Sequence, residues 1–374
     1  MAIAYENGIL NHGNTGRLRG VFRRAGAGEA VTVGFLGGSI TQGSLAGTPE
    51  DCYAYRVYRW WQDTFPQARV TYINAGIGAT NSQFGAARVE SDLLQYRPDF
   101  VVLEYSVNDD STPHFQETYE AVVRKLLQAG CAVVLLHNVR YDTGETAQDL
   151  HAAVGKHYDL PCISIKNTVY AQVAAGELAR RDITPDDLHP NSAGHALVAG
   201  AVCYFLEQVR GEQAPLAVVA PPAVVAPPTA EGPLPAPMTP NRFERSVRYR
   251  NDWEDVICQG FTPDKQVQKH ITETFRGGWT ALRRGDKLTL SVEGTGIAVQ
   301  YRKSVQTPAP VARVTVDGAC TAELDGNFPD GWGDWLYLQT VCHPIPAGRH
   351  QVEVEIIREG GQTPFYLASV IANG

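Results

Sequence analysis

The sequence predicts an α/β domain with a five-stranded parallel sheet, followed by an all-β sandwich. Its 374 residues exceed the usual size of one domain, so two domains are expected. Between about residues 30 and 210, short apolar runs alternate with stretches that have the helical spacing of apolar residues. After about residue 242, short segments instead alternate apolar and polar residues. The first pattern is typical of a parallel sheet covered on both faces, and the second of an antiparallel sandwich.

Five apolar runs supply the predicted strands of the first domain. Such runs suit strands that are buried on both faces, and the amphipathic stretches between them suit the covering helices. Ligands of such sheets bind at the carboxyl ends of the strands. The predicted strands are Val31–Leu36, Arg69–Asn74, Phe100–Tyr105, Cys131–Leu136 and Leu160–Ile165, and the predicted helices include Tyr53–Phe65, Phe84–Leu94 and Phe115–Leu127.

A proline-rich segment separates the two patterns. Residues 214–240 hold nine of the 23 prolines and repeat Ala-Val-Val-Ala-Pro-Pro twice. Proline fixes φ and lacks a backbone donor, so neither a helix nor a central strand is expected there. We therefore predict a first domain over residues 1–212, a semi-rigid extended linker over 213–241 and a second domain over 242–374.

The second domain is predicted to be a jelly-roll-like antiparallel sandwich. Turn signals such as Asp317-Gly318 and Asp325-Gly326 separate its short runs. The predicted strands are Lys287–Val292, Gly296–Tyr301, Ala312–Val316, Trp335–Val341, Gln351–Ile356 and Phe365–Val370.

Composition and charge disfavour several classes of protein. A net charge of −8, from 32 basic and 40 acidic residues, argues against a nucleic acid as the principal partner. The sequence contains no run of 18 apolar residues and no visible signal peptide, so we expect no membrane contact and a cytoplasmic protein. The seven cysteines form no Cys-x-x-Cys pair and are expected to be reduced, mostly buried thiols. The ten histidines form no metal-ligating motif, so no metal or other cofactor is expected.

A serine follows the first predicted strand in the segment Gly37-Gly38-Ser39. The glycines allow a tight turn that leaves the serine exposed at the end of the strand. Taken alone, such a serine more often caps the next helix. A phosphate-binding loop is disfavoured, because the pattern GxxxxGK[ST] is absent.

Two further segments at strand ends carry groups that could donate hydrogen bonds to an oxyanion. The loop after the second strand contains Gly78 and Ala79, whose backbone amides could do so. Asn108 follows the third strand, and its side-chain amide could donate as well. The alternatives are a loop that needs flexible glycines and an asparagine that caps a helix or shapes a turn.

A carboxylate and an imidazole lie near the start of the last predicted helix. Asp186 precedes His189 by three residues, a spacing at which the carboxylate can reach Nδ1 of the ring. Nε2 would then be free to take a proton from a serine hydroxyl. An aspartate three residues before a histidine often occurs by chance. The spacing therefore indicates a function only when it is considered together with the other segments.

Together and in this order, the four segments resemble the SGNH (GDSL-type) hydrolase superfamily. The resemblance covers about residues 30–205 and implies a flavodoxin-like, three-layer α/β sandwich that acts as a serine hydrolase. It implies that Ser39 is the nucleophile, that His189 is the general base and that Asp186 orients His189.

The resemblance also implies an oxyanion hole, and the chain departs from the family pattern beside it. The backbone N–H of Ser39 and the side chain of Asn108 would belong to the hole, together with one amide of the second segment. The usual Gly-Asp-Ser-Leu is Gly37-Gly38-Ser39-Ile40 here, and the lost aspartate is not the carboxylate of the triad. The glycine of the second block falls at Ala79, with Gly78 just before it, so the inward-pointing amide is left open.

These observations favour an esterase that removes short acyl groups, above all acetyl, from carbohydrate hydroxyls. The segment after Ser39 is small and polar, and the second domain is similar to sandwich modules that accompany carbohydrate esterases. A small-molecule or oligosaccharide ester is the expected substrate, and a homo-oligomer is possible. A lysophospholipase, thioesterase or broad short-chain esterase is the first alternative. A non-catalytic carbohydrate-binding protein is the second, disfavoured by the complete set of four residues.

Four tryptophans of the second domain are candidates for stacking on sugar rings. Burial in the core is the more common role of each one. The stretch Asp330–Trp335 is the best exposed candidate because its neighbours are polar. The four are Trp253, Trp279, Trp332 and Trp335.

Overall fold

A computed structural model describes residues 3–212 and 233–374 of the chain. The chain divides into two compact units, one that ends at Asn241 and one that begins at Arg242. Each unit has its own hydrophobic core. Residues 213–232 of the predicted linker lie outside the described residues, so the linker stays a prediction.

The first unit contains a six-stranded sheet. Its strands are β1 (Ile9–Asn11), β2 (Val31–Gly37), β3 (Val70–Gly76), β4 (Phe100–Glu104), β5 (Ala132–His137) and β6 (Cys162–Ser164). Their order across the sheet is β1-β6-β5-β4-β2-β3. The five predicted strands pair in parallel, as expected, while β1 pairs antiparallel with β6. Strand β1 was not predicted, because its three half-buried residues give no apolar run.

Helices cover the sheet and position its carboxyl edge. Asparagine or threonine side chains cap several of them, for example Asn191, whose Oδ1 accepts the N–H groups of Ala193 and Gly194 at 3.0 Å. The helices of the described residues are α1 (Gly16–Gly26), α2 (Ser39–Gln42), α3 (Tyr53–Thr64), α4 (Ser82–Asp92), α5 (Pro113–Gln128), α6 (Gln148–His157), α7 (Ala171–Ala174), α8 (Arg180–Ile183) and α9 (Ser192–Gly211). Among these residues, none of the helices is both long and apolar enough to cross a membrane.

The second unit is an antiparallel β-sandwich, as the sequence predicts. Its strands are β7 (Val247–Tyr249), β8 (Val256–Gln259), β9 (Thr262–Pro263), β10 (Trp279–Ala281), β11 (Lys287–Gly294), β12 (Gly296–Lys303), β13 (Val311–Val316), β14 (Cys320–Asp325), β15 (Trp335–Cys342), β16 (Gly348–Arg358) and β17 (Phe365–Asn373). One sheet has the order β15-β12-β17-β10-β9, with β7 also on β17, and the other has the order β14-β13-β16-β11-β8. Alternate residues of the long strands, such as Leu288, Leu290 and Val292 of β11, face the core. The strands missing from the sequence prediction are the short or polar ones, namely β7 to β10 and β14.

The expectation of reduced thiols is wrong for Cys320 and Cys342, which form a disulfide. Cys320 begins β14 and Cys342 ends β15, and these are edge strands of the two sheets. The bond therefore joins the sheets of the sandwich. A separation of 22 residues gave no sign of pairing, because only the packing of the sheets brings the two Cα atoms to 6.5 Å. The free cysteines are Cys52, Cys131 and Cys162, which are buried, Cys203, which is partly buried, and Cys258, which is exposed.

Replacing both Cys320 and Cys342 by serine should lower the free energy of unfolding of the second unit. The crosslink closes a loop of 22 residues, and opening it returns about 3 kcal/mol of conformational entropy to the unfolded chain. Guanidinium unfolding followed by tryptophan fluorescence measures the change. Cys258→Ser serves as the control and should keep the wild-type midpoint. Equal midpoints for all three proteins would contradict the prediction.

Candidate active site

Ser39 lies at the carboxyl end of β2, where it is the first residue of α2. The two glycines before it are required by close approach. A Cβ at Gly37 would lie 2.5 Å from the carbonyl oxygen of Glu104, and a Cβ at Gly38 would lie 2.2 Å from Oδ1 of Asn108. The glycines therefore allow the end of β4 and its following turn to lie directly beside Ser39.

Ser39, His189 and Asp186 form a continuous hydrogen-bonded chain. Nε2 of His189 lies 2.8 Å from Oγ of Ser39, and Nδ1 lies 2.6 Å from Oδ2 of Asp186. The second carboxylate oxygen, Oδ1, accepts the backbone N–H groups of His189 at 2.7 Å and Leu188 at 3.1 Å. This geometry orients the imidazole so that Nε2 can accept the hydroxyl proton of Ser39.

The environment of Asp186 favours its charged form. Partial burial raises the pKa of the carboxyl, but the hydrogen bonds from His189 and Leu188 outweigh it and hold the pKa below its ordinary value. An ionised Asp186 would stabilise a positive charge on a protonated His189.

Asp187 holds the turn that carries these two residues. Its φ of 69° lies in the left-handed region, and its carbonyl accepts the N–H of Tyr141 at 2.7 Å. Its carboxylate pairs with Arg180 and Arg181, each at 2.9 Å. Nothing in the spacing of the sequence identified the two arginines, because their contacts depend on how α8 packs beside the turn.

The groups predicted for the oxyanion hole surround the same end of β2. Ser39 begins a helix, so its N–H has no acceptor within that helix. Asn108 is partly exposed and lies against Gly38. Gly78 is close to the serine, since a Cβ built on it would lie 3.8 Å from Cβ of Ser39.

The sequence did not decide whether the amide of Gly78 or that of Ala79 points inward, and the two residues differ in backbone conformation. Ala79 has a φ of 54°, in the left-handed region where the family pattern has glycine. The N–H of Gly78 donates to Oε1 of Gln42 at 2.6 Å, and the side chain of Gln42 is exposed. Gln42 is therefore a polar neighbour of the site that sequence reasoning missed.

A buried carboxyl, Glu104, lies behind the helix that Ser39 begins. The hydroxyl of Thr41 on α2 contacts Oε2 of Glu104 at 3.4 Å and the hydroxyl of Tyr53 at 2.8 Å. Burial raises the pKa of Glu104 to about 7, and the charge of nearby Asp109 adds to the rise. Among the described residues, no group of three or more histidine, cysteine or carboxylate side chains could hold a metal ion.

The four tryptophans of the second unit have different environments. Trp279 is 1% exposed and belongs to the core, so its candidacy as a sugar platform was wrong. Trp253 is 43% exposed, and its Nε1 donates to the carbonyl of Ser291 at 3.3 Å. Trp332 is 69% exposed and lies beside Phe328 and the partly buried Trp335.

Known proteins share this fold. Residues 35–197 match a model of the GDSL-like lipase/acylhydrolase family. The whole chain is similar to two crystal structures of a two-domain esterase active on acetylated mannans, one of them co-crystallized with mannopentaose. Both are 51% identical over 100% of this chain and 99% of that chain, with TM-scores of 0.93 and 0.92. Thioesterase 1/protease 1/lysophospholipase L1 of Escherichia coli (strain K12) is 25% identical over 183 residues, which cover 46% of this chain and 82% of that protein.

The fold, the site and these similarities define a hydrolase of ester bonds. The chain belongs to the GDSL-like lipase/acylhydrolase family, with an antiparallel β-sandwich after the family domain. The resemblance found in the sequence is thereby confirmed.

Glu104→Gln should change how stability depends on pH. The pKa of Glu104 rises from 4.5 to about 7 on folding. The contribution of Glu104 to the free energy of unfolding is therefore fully present below pH 4.5 and is lost as the pH rises through 7. The neutral amide avoids that loss. The free energy of unfolding of Glu104→Gln minus that of the wild type should be about 2 kcal/mol larger at pH 8 than at pH 5.

Chemical unfolding at the two pH values measures this difference. Glu50→Gln, which changes an exposed carboxylate, should show no such dependence on pH. A constant difference between Glu104→Gln and the wild type would contradict the prediction.

Proposed function

We propose that the protein removes acetyl groups from the hydroxyls of mannan-type oligosaccharides, through an acyl-enzyme on Ser39. The observation that carries this proposal is the chain of hydrogen bonds from Ser39 through His189 to Asp186, with distances of 2.8 and 2.6 Å. The choice of substrate is supported by 51% identity, over the whole chain, to an esterase active on acetylated mannans.

Acylation begins when Oγ of Ser39 attacks the carbonyl carbon of the acetyl ester. Nε2 of His189 takes the hydroxyl proton as the new C–O bond forms, and Asp186 stabilises the resulting imidazolium. His189 then gives this proton to the sugar oxygen as the ester bond breaks. The sugar leaves with a free hydroxyl, and the acetyl group stays on Ser39.

Deacylation repeats the same steps with water as the nucleophile. His189 takes a proton from the water, whose oxygen attacks the acetyl carbon. Collapse of the second tetrahedral intermediate returns the proton to Ser39 and releases acetate. The enzyme is restored without any net change in its protonation.

The negative oxygen of each intermediate needs hydrogen-bond donors that are already in place. The backbone N–H of Ser39 and the side-chain amide of Asn108 are the two that we assign first, and losing one donor of this kind costs about 10²–10³ in rate. Gly78 lies next to Ser39, and its N–H becomes available when the exposed side chain of Gln42 moves aside. Ala79, one residue further on, is the alternative donor.

Ser39→Ala should lower kcat for acetate release by about 10⁴-fold or more, because it removes the hydroxyl that lies 2.8 Å from Nε2 of His189. The assay follows acetate from acetylated manno-oligosaccharides and p-nitrophenol from p-nitrophenyl acetate. Ser44→Ala is the matched control and should keep wild-type rates. Retained hydrolysis in Ser39→Ala would overturn the proposed mechanism.

The length of the acyl chain separates this proposal from its main alternative. The Escherichia coli relative bears the names thioesterase and lysophospholipase, which are the activities of the alternative. The small, polar segment after Ser39 instead suits a short acyl group. A higher kcat/KM for p-nitrophenyl octanoate than for p-nitrophenyl acetate would favour the alternative.

We further infer that Trp332 of the second unit stacks on a sugar ring of mannan. Trp332→Ala should weaken binding of the full chain to mannan about 2- to 10-fold, as expected for the loss of one aromatic contact. Affinity electrophoresis of Ser39→Ala, with and without the second substitution, measures binding without turnover. Trp253→Ala is the control, since that ring is also partly exposed. Equal mobility shifts for both tryptophan variants would contradict the assignment.

A further inference from the structure

Asp109 follows Asn108 directly and carries a carboxylate that reaches two other elements. Its Oδ1 accepts the backbone N–H of Ser82 at 2.9 Å, and its Oδ2 lies 3.1 Å from Nε2 of His151. The side chains of both Asp109 and His151 are buried. A carboxylate at this depth is costly unless it is paired and hydrogen-bonded, and here each oxygen has a partner.

The contact between Asp109 and Ser82 joins the two segments that carry the proposed donors of the oxyanion hole. Ser82 is the first residue of α4, and it follows the loop of Gly78 and Ala79 after only two residues. The N-terminus of a helix carries partial positive charge, which favours a carboxylate there. Asp109 therefore connects this loop to the turn that carries Asn108.

His151 supports the carboxylate from the opposite side. Its ring stacks on Tyr119, with 3.6 Å between the ring centroids and 3° between the planes. Its Nδ1 is buried and has no hydrogen-bond partner in the described part of the chain. A proton on Nε2 is thus favoured, because a proton on Nδ1 would leave a buried donor unpaired.

The turn between β4 and Asp109 is short. The N–H groups of Asn108 and Asp109 both donate to the carbonyl of Tyr105, at 2.9 and 3.0 Å. Because Asn108 and Asp109 are consecutive in this short turn, a movement of Asp109 also moves Asn108.

Building on the proposed function, we propose that Asp109 is a positioning residue for ester hydrolysis. It holds the side chain of Asn108 and the loop of Gly78 and Ala79 at the spacing that the oxyanion requires. Because these donors act mainly on the transition state, the loss of Asp109 affects kcat and leaves KM almost unchanged. A displacement of catalytic groups by about 1 Å can cost about 10²-fold in rate.

A double-mutant cycle on p-nitrophenyl acetate tests the role. Asn108→Ala should lower kcat by about 10²–10³-fold. Asp109→Ala should lower kcat by about 10- to 100-fold, with KM within about threefold of the wild type. In the Asn108→Ala background, the same change at Asp109 should lower kcat by a clearly smaller factor than in the wild type, since one of the donors that it positions is already gone.

Two further variants separate positioning from general damage to the fold. Val202→Ala removes methyl groups from the core side of α9, so it should lower the melting temperature without lowering kcat. Asp109→Asn keeps an oxygen acceptor for the N–H of Ser82 and nearly the same shape. If Asp109→Ala does not fold, Asp109→Asn takes its place in the cycle, under the same criterion.

The outcomes distinguish this inference from the function on which it rests. Equal losses in kcat from the Asp109 change in the wild-type and Asn108→Ala backgrounds would overturn the positioning role. A rise in KM with an unchanged kcat would overturn it too. If Ser39→Ala is inactive in the same assay, the proposed function stands despite either result. If Ser39→Ala keeps its activity, the proposed function fails, and the positioning role fails with it.

Discussion

The close contact between the ends of β2 and β4 sets the geometry of the whole site. Gly37 pairs with Glu104 in the sheet, and neither Gly37 nor Gly38 has room for a side chain. This contact brings Asn108 beside Ser39, although the two residues are far apart in the sequence. Any bulk at the glycines would move Ser39 away from Asn108, so the spacing of these two residues depends on the glycines.

Behind this contact, the first unit buries more polar groups than packing alone would favour. Glu104, Asp109 and His151 are all buried, and so is His137, whose two ring nitrogens have no partner among the described residues. Burial lowers the pKa of His137 well below its ordinary value, which keeps the ring neutral. Buried polar groups without partners cost stability, so His137 destabilises the fold unless other groups compensate for it.

The sequence predicted the parallel strands well, for physical reasons. Strands buried on both faces must be continuously apolar, so runs such as Phe100–Glu104 are easy to recognise. The spacing between Asp186 and His189 is local, and the contact between them follows from one turn of chain. The short strand β1 and the disulfide of Cys320 and Cys342 were missed, because both depend on partners that local patterns do not reveal.

The parallel strands and, through the family resemblance of the segments that follow them, the class of hydrolase were determined by the sequence alone. Apolar periodicity and strand-end motifs are properties of contiguous residues, and the rule for parallel sheets gathers them at one edge. Only the tertiary structure decided which groups support the site. The contacts of Gln42 with Gly78, of Asp109 with Ser82 and His151, and of Asp187 with its arginines join residues from separate elements. Such contacts depend on the packing of elements against one another, which the spacing of residues along one chain does not encode locally.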